Sequence, residues 1–123
     1  MDNKDKVIKE LVAYPFEVSA DERKTFEFRT KPEHKKITGV FLSSEDEELL
    51  NDCYVQIMID NKNVVSYNEI QAGLILKTKY LSIDDVAWQI DMPVNDASIK
   101  LTIINNTQED IIGSLNIIAE RNA

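Results

Sequence analysis

Apolar and polar residues alternate in segment after segment of this chain, from Val12 to Ala119. A period of two places successive side chains on opposite faces of an extended strand, so each segment predicts a strand with one buried face. Polar breaks interrupt the alternation roughly every 8 to 15 residues, whereas each crossover of a parallel sheet needs about a dozen or more. The spacing therefore favours antiparallel strands over an α/β fold.

The predicted fold is all-β: an antiparallel β-sandwich, jelly-roll or immunoglobulin-like, with roughly seven to nine strands and one short helix. The helix is expected between Ser44 and Asn51, where a capping-box pattern precedes two leucines. Pro15 lacks a backbone N–H and indicates that the first strand lies at a sheet edge. Hairpins are expected over residues 54–67 and 98–119, and residues 74–76 are compatible with a further strand.

The predicted core consists of apolar side chains that share one face of each strand. Trp88 is included because it is in register with Val86, Ile90 and Met92. Cys53 is expected to pack as a small apolar residue at the start of a strand. The full predicted core set is Phe26, Phe28, Ile57, Ile59, Trp88, Ile90, Leu101, Ile103, Leu115 and Ile117.

The length of 123 residues is that of one domain, and residues 12–123 are assigned to the sandwich. Residues 1–11 precede the clean alternation and are assigned to an N-terminal arm or a first strand or helix. The spacing of Val7, Ile8 and Leu11 is compatible with either a helix or an extended segment. A single sandwich would cover these apolar side chains poorly, so the arm is a predicted contact site.

The charge balance argues against several classes of partner. Lysine and arginine number 14 against 22 acidic residues, for a net charge of −8 that is spread over both halves of the chain. Nucleic-acid binding depends on basic residues that neutralise phosphates, so it is not expected. No run approaches the roughly 20 apolar residues of a membrane span, and the N-terminus lacks the apolar stretch of a signal peptide.

The chain carries few residues suited to catalysis or metal binding. One histidine, His34, and one cysteine, Cys53, do not supply a zinc site or a nucleophile–base pair. The acidic runs at 45–48 and 84–85 lack the alternating spacing of a calcium loop. His34 is expected to be solvated in its lysine-rich loop. We therefore predict a protein that is not an enzyme, with no catalytic residues, cofactor or metal.

The segment Ile37–Ser44, the acidic helix and the hairpin that follows resemble small β-sandwich virion proteins of tailed bacteriophages, especially crAss-like phages that infect gut Bacteroidetes. The similarity in pattern extends over residues 12–119, although after Pro93 it is limited to a terminal hairpin. The resemblance implies an auxiliary or decoration protein, assembled into the virion in the host bacterial cytoplasm. The implied partners are other virion proteins, such as the major capsid protein or a head fibre, and a second copy of the chain.

The predicted contact residues are Val7, Ile8 and Leu11 of the arm and Lys31, Lys35 and Lys36 of a loop, with the loop at Asn105–Asp110 as a further contact point. Two alternatives remain open. One is a cellular protein-interaction domain of the same fold. The other is a carbohydrate-binding module, which would require exposed aromatic side chains among Tyr54, Tyr67, Tyr80 and Trp88.

Overall fold

The computed structural model describes residues 6–64, 70–77 and 82–123, which form two antiparallel sheets and a few short helices. The strands are β1 (Val7–Val18), β2 (Arg23–Arg29), β3 (His34–Ser44), β4 (Cys53–Ile59), β5 (Lys62–Asn63), β6 (Ile70–Gln71), β7 (Trp88–Pro93), β8 (Ser98–Asn105) and β9 (Ile111–Asn122). The α-helices are α1 (Glu47–Leu50) and α2 (Ile83–Val86), and a 3₁₀ helix covers Ala72–Ile75.

The strand order identifies a jelly roll, one of the two predicted sandwich types. One sheet, here the β1 sheet, has the order β1-β9-β3-β7, and the other, the β2 sheet, has the order β2-β8-β4-β5, with β6 also pairing with β4. The antiparallel pairs are nested: β1 with β9, β2 with β8, β3 with β7 and β4 with β5. A long ribbon folded over itself in this way gives the two-sheet jelly roll. The prediction of an antiparallel β-sandwich is confirmed.

The core lies between the two sheets and follows the predicted alternation. Ile57, Ile59, Leu101, Ile103, Leu115 and Ile117 are all fully buried, as predicted. Phe26, Phe28 and Ile90 are partly buried and pack against this cluster from the edge strands β2 and β7. Each fully buried leucine or isoleucine side chain stabilises the fold by about 1.5–3 kcal/mol relative to an exposed one. The core therefore supplies most of the favourable free energy of folding.

The prediction that Trp88 is a core residue is wrong. Trp88 is 39% exposed, because strand β7 begins only at this residue and forms the edge of the β1 sheet. Val86, expected on the same strand face, belongs instead to α2. There it packs with Phe41 and Ala87 in a second, smaller apolar cluster. The alternation correctly places Ile90 and Met92 against the core. At the edge of the sheet, however, the side chain of Trp88 is incompletely covered.

The predicted terminal hairpin is also wrong, although both of its strands are present. Strand β8 pairs with β2 and β4, whereas β9 pairs with β1 and β3. The loop between them therefore crosses from one sheet to the other. Alternating sequence indicates where strands and turns occur, but a loop of this length can join strands within a sheet or between sheets.

The helices differ in number from the prediction. Helix α1 lies within the predicted segment, but α2 was not predicted, although Ser82 and Asp85 form a capping box there. Residues 74–76, compatible with a strand, mostly belong to the 3₁₀ helix. The β4–β5 hairpin is confirmed with a turn at Asp60 and Asn61, whose positive φ angles of 49° and 66° fit a type I′ turn. The remainder of its predicted second strand, at residues 65–67, lies outside the described residues.

Candidate interaction surface

Residues 7–11 form the first half of strand β1. The strand runs without a break from Val7 to Val18 and pairs in continuous register with β9. Of the two predicted alternatives for this segment, the structure therefore shows the extended one. The predicted boundary between an arm and the sandwich falls inside a single strand.

The far side of β1 is an open sheet edge, since no other strand among the described residues pairs with it. The amide of Ala123 donates to the carbonyl of Lys6 at 3.1 Å, so the even-numbered residues of β1 exchange hydrogen bonds with β9. The odd-numbered residues direct their backbone groups outwards. Pro15 is odd-numbered, so the N–H that it lacks would have faced solvent. The prediction that Pro15 marks an edge strand is confirmed.

The outer face of the β1 sheet carries exposed apolar side chains on its β1 and β9 half. We call this half the open face, defined by Val7, Leu11 and Ala13 of β1 and Ile112 of β9. Val7 is 54% exposed, Leu11 is 56% exposed and Ile112 is 60% exposed. Leu11 lies opposite Ile118 in the ladder, and Ala13 lies opposite Asn116. Leu11, Ala13 and Pro15 follow one another on this face, whereas Lys9 separates them from Val7 and Glu17 lies opposite Ile112. Exposed apolar surface on a sheet face is typical of contact sites.

Helix α2 covers the other half of the same face. Phe41 of β3 is buried by Val86 and Ala87, with Ile118 partly buried beside them. The close approach depends on Gly39, because a Cβ at that position would lie 3.0 Å from Cδ1 of Ile118 and 3.5 Å from Cβ of Ala87. The open face is thus the part of this sheet surface that α2 does not reach.

A shallow groove of about 690 Å³ lies at the end of the open face near the C-terminus of β1. Pro15, Ser114 and Ser43 stand side by side across three strands and form its floor, with Ile112 beside them. Gly113 keeps the strands close here, since a Cβ would lie 2.7 Å from the carbonyl oxygen of Ser43. Glu45 and Asp46 also line the groove, so its rim is acidic.

His34 is buried, which contradicts the prediction of a solvated loop residue. It is 1% exposed, at the start of β3, and its Nε2 lies 3.0 Å from Oε1 of Glu10 on β1. The same oxygen accepts a hydrogen bond from Nε of Arg121 on β9 at 2.9 Å. Nδ1 of His34 has no hydrogen-bond partner in the described part of the chain. Its partner Glu10 lies on a strand distant in sequence, so the local lysine-rich sequence does not indicate this position.

Glu10, His34 and Arg121, here called the Glu10 cluster, hold the start of β1 against β3 and β9. The hydrogen bond from His34 and the charge of the Arg121 guanidinium lower the pKa of the Glu10 carboxyl below its ordinary value of 4.5, although partial desolvation acts in the opposite direction. The ionised carboxylate is therefore the form that the folded state favours. The cluster is a structural link between strands and also fixes the position of the open edge.

The predicted lysines lie at the same end of the sheet as the start of β1. His34 and Ile8 both lie opposite Arg121, so the loop before β3 is close to the N-terminal half of β1. Lys31 and Lys35 are exposed, and Nζ of Lys35 donates to the carbonyl of Pro32. Lys36 forms an ion pair with Asp91 at 2.9 Å, and the hydrogen bond to Asp91 raises the pKa of its ammonium group. Lys36 is thus already paired within the sheet.

The loop at Asn105–Asp110 lies at the opposite end of β9 from the lysines. Asn105 is buried, and its Nδ2 donates to the carbonyls of Ser19 and Glu109 at 3.0 and 2.8 Å. Its Oδ1 accepts from the backbone and hydroxyl of Thr107. Half of this predicted contact loop therefore serves to lock the β8–β9 connection in place.

The two exposed aromatic candidates in the described part of the chain, Tyr54 and Trp88, do not form one platform. Tyr54 is 43% exposed on β4 of the β2 sheet, whereas Trp88 belongs to the β1 sheet. Tyr67 and Tyr80, the other predicted candidates, lie outside the described residues. Cys53 is fully buried at the start of β4, as predicted, and burial raises the pKa of its thiol.

The described residues contain no group of three or more histidine, cysteine, aspartate or glutamate side chains placed to hold a metal ion. Within the same ranges, no helix has the length and apolar character needed to cross a membrane.

No protein-family model matches the chain, and no curated protein matches it. Among solved structures, it is similar to dimeric latent PorU from Porphyromonas gingivalis, with 11% identity and a TM-score of 0.44, covering 94% of this chain and 13% of that one. It is also similar to PliG of Salmonella Typhimurium, a periplasmic inhibitor of g-type lysozyme, with 14% identity and a TM-score of 0.43, covering 97% and 92% of the two chains. A third similarity, to the VP2 subviral particle of infectious bursal disease virus, has 11% identity and a TM-score of 0.32, covering 98% of this chain and 38% of that one. At these values the similarities identify no function.

Proposed function

We propose that the protein is a non-enzymatic assembly protein that docks on a larger partner through the open face of the β1 sheet. The observation that carries the proposal is the exposure of Val7, Leu11 and Ile112 on a sheet face whose other half is covered by α2. Isolated apolar side chains are common on protein surfaces, but several of them on one face of a sheet, among them the consecutive outward residues Leu11, Ala13 and Pro15, are typical of an interface.

The proposed setting is the virion of a tailed bacteriophage, as an auxiliary capsid or decoration protein attached to the major capsid protein or a head fibre. The sequence resemblance suggests this setting. The jelly roll is compatible with it, because the fold recurs in viral capsid domains and also in lectins, so the fold alone does not decide between them. Many weak contacts repeated over a particle would give stable attachment without a tight individual site.

Mass spectrometry of purified virions tests the setting. Many copies per particle would support the proposal, and absence from every particle would contradict it.

Substitution of a single residue tests docking through the open face more directly than deletion of residues 1–11 would. Such a deletion removes the Glu10 carboxylate that bonds His34 and Arg121, so it would damage the fold as well. Leu11→Glu changes only an exposed side chain, and Leu74→Glu is a matched control because Leu74 is also highly exposed but lies in the 3₁₀ helix. We expect Leu11→Glu to reduce incorporation into particles and Leu74→Glu to leave it unchanged. Equal incorporation of both would exclude the open face as the docking site.

A carbohydrate-binding module is the second candidate, and the exposure of Trp88 favours it. An exposed indole offers an apolar surface for stacking against a sugar ring. A glycan array would test this function. Binding that is lost in Trp88→Ala but kept in Tyr54→Ala would support it, and an array without hits would remove it.

A further inference from the structure

We propose that the open edge of β1 pairs in antiparallel orientation with β1 of a second copy of the chain. The two-fold axis of this pair passes between the two Leu11 residues. This inference goes beyond the proposed function, because it concerns self-association of the purified protein and requires no virion. It combines three features of β1: the direction of its backbone groups, the position of Pro15 and the pattern of its charges.

The backbone of β1 offers a regular set of donors and acceptors that no other strand in residues 6–64, 70–77 and 82–123 uses. Since the even-numbered residues bond to β9, the N–H and C=O groups of Val7, Lys9, Leu11 and Ala13 point away from the sheet. An antiparallel partner must present the same spacing of groups. A second β1 strand presents it by symmetry.

Pro15 restricts the register of such a pair. With Leu11 opposite Leu11 of the second copy, Lys9 lies opposite Ala13 and Val7 lies opposite Pro15. The carbonyl of Pro15 accepts a hydrogen bond from Val7, but Pro15 cannot donate one, so it ends the ladder after about eight bonds. Registers centred nearer the C-terminus of β1 place Pro15 inside the ladder, where proline is disfavoured.

The charges of β1 favour the same register. With Leu11 at the axis, Lys9 faces Ala13, and Glu10 faces Val12. A register centred on Lys9 or Glu10 would place that residue opposite its own copy, and like charges directly opposite one another destabilise a sheet. The Leu11 register also places the two exposed Leu11 side chains side by side, which covers part of their apolar surface.

The paired edges would join two four-stranded sheets into one continuous sheet. Their two open faces would then lie on the same side, because the two-fold axis is perpendicular to the sheet. If the open face docks on a repeating surface, as the proposed function holds, the dimer would dock at two points and gain avidity. This last step alone rests on the proposed function.

Cysteine cross-linking tests the register. In Leu11→Cys the two introduced residues would face one another with about 5.5 Å between Cα atoms, which suits a disulfide. In the matched control Lys9→Cys the introduced residues would be roughly 13 Å apart, beyond disulfide reach. The native Cys53 is fully buried and does not compete. Under mild oxidation we expect a covalent dimer of Leu11→Cys and none of Lys9→Cys; equal cross-linking of both, or cross-linking of Lys9→Cys alone, would overturn the register.

Sedimentation of the wild-type protein over a concentration series tests the pairing itself. The wild type should approach twice the mass of one chain, and Ala13→Pro should weaken association by about tenfold or more, since it removes an outward N–H from each copy. Pro15 shows that an odd-numbered position of β1 accommodates proline, and a thermal unfolding curve of the variant confirms its fold. A wild type that stays monomeric throughout, or a dimer that Ala13→Pro leaves intact, would overturn the inference. Leu11→Glu would weaken both docking and pairing, whereas Ala13→Pro acts on the backbone pairing and keeps Val7, Leu11 and Ile112 on the open face. Incorporation of Ala13→Pro into virions is a separate measurement, so the two proposals can fail independently.

Discussion

Strands β1 and β2 are the edges of their sheets on the same side of the sandwich, and their inward faces are alike. Tyr14 of β1 stacks on Phe28 of β2 with 4.8 Å between ring centroids, and Phe16 lies 6.0 Å from Phe26. Their outward faces differ. On β2, Thr25 bonds to Thr102 at 2.9 Å, and Arg29 pairs with Asp96 at 3.3 Å.

The outward face of β1 carries the charged residues Lys9 and Glu17, but its other side chains, including Val7, Leu11 and Ala13, are apolar. The inward faces are similar because both must fill the same core. The outward faces are free to differ, and β2 uses its polar groups within the molecule while β1 exposes apolar surface. This difference is the basis of our proposal that β1 is the edge that contacts another molecule.

The largest difference in the free energy of unfolding is expected between substitutions in the two halves of β1. Phe16→Ala removes a ring that is nearly fully buried, so we expect a loss of about 3–5 kcal/mol in the free energy of unfolding. Leu11→Ala should change it by no more than about 0.5 kcal/mol, because the side chain is exposed. Urea unfolding of both variants measures the difference. Similar losses for the two would mean that Leu11 contributes to the monomer core.

A smaller effect is expected on the outward face of β2. Thr25→Val keeps the β-branched shape but removes the hydrogen bond to Thr102, at an expected cost of about 0.5–1.5 kcal/mol. Thr25→Ser is the control, since it keeps the hydroxyl. If Thr25→Val were as stable as the wild type in urea, this hydrogen bond would not distinguish β2 from β1.

The dependence of stability on pH tests how the start of β1 is held. Folding lowers the pKa of Glu10, so its contribution is fully present above the unperturbed pKa of 4.5 and is lost as the pH falls through the lower pKa of the folded state. Glu10→Gln should therefore lose less stability than the wild type when the pH is lowered from neutral through this range. Thermal unfolding at a series of pH values measures it, and parallel curves for the two proteins would exclude a role for this carboxylate.

Period-two alternation was sufficient to predict the fold class and most of the core. Ile57, Leu101 and Leu115 were predicted correctly because they lie on central strands, where a side chain on the inner face is covered by the opposite sheet. Trp88 lies on an edge strand, where the same register does not ensure cover. The sequence does not predict which sheet contains β9. That assignment depends on the topology of the whole jelly roll and not on the residues of the β8–β9 loop.

The candidate surface was predictable only in part. Val7 and Leu11 are apolar residues that precede the alternating pattern, which begins at Val12, and Pro15 indicates an edge strand. The open edge, the outward direction of its odd-numbered backbone groups and the groove beside Ile112 arise from the pairing of β9 with β1 and β3. The sequence of a single segment does not determine this pairing. The prediction for His34 is wrong for the same reason, since it bonds to Glu10 on a distant strand, and Glu10 in turn bonds to Arg121 on another.

Residue-resolved amide hydrogen exchange at low and high protein concentration tests the central claim, that the open edge of β1 is the association surface. The amides of Ile8, Glu10 and Val12 bond to β9 and should be protected at both concentrations. The amides of Lys9, Leu11 and Ala13 should exchange rapidly in the dilute protein and become protected in the concentrated one. Rapid exchange of these three at both concentrations, while the protein associates, would show that association uses another surface and would contradict the account.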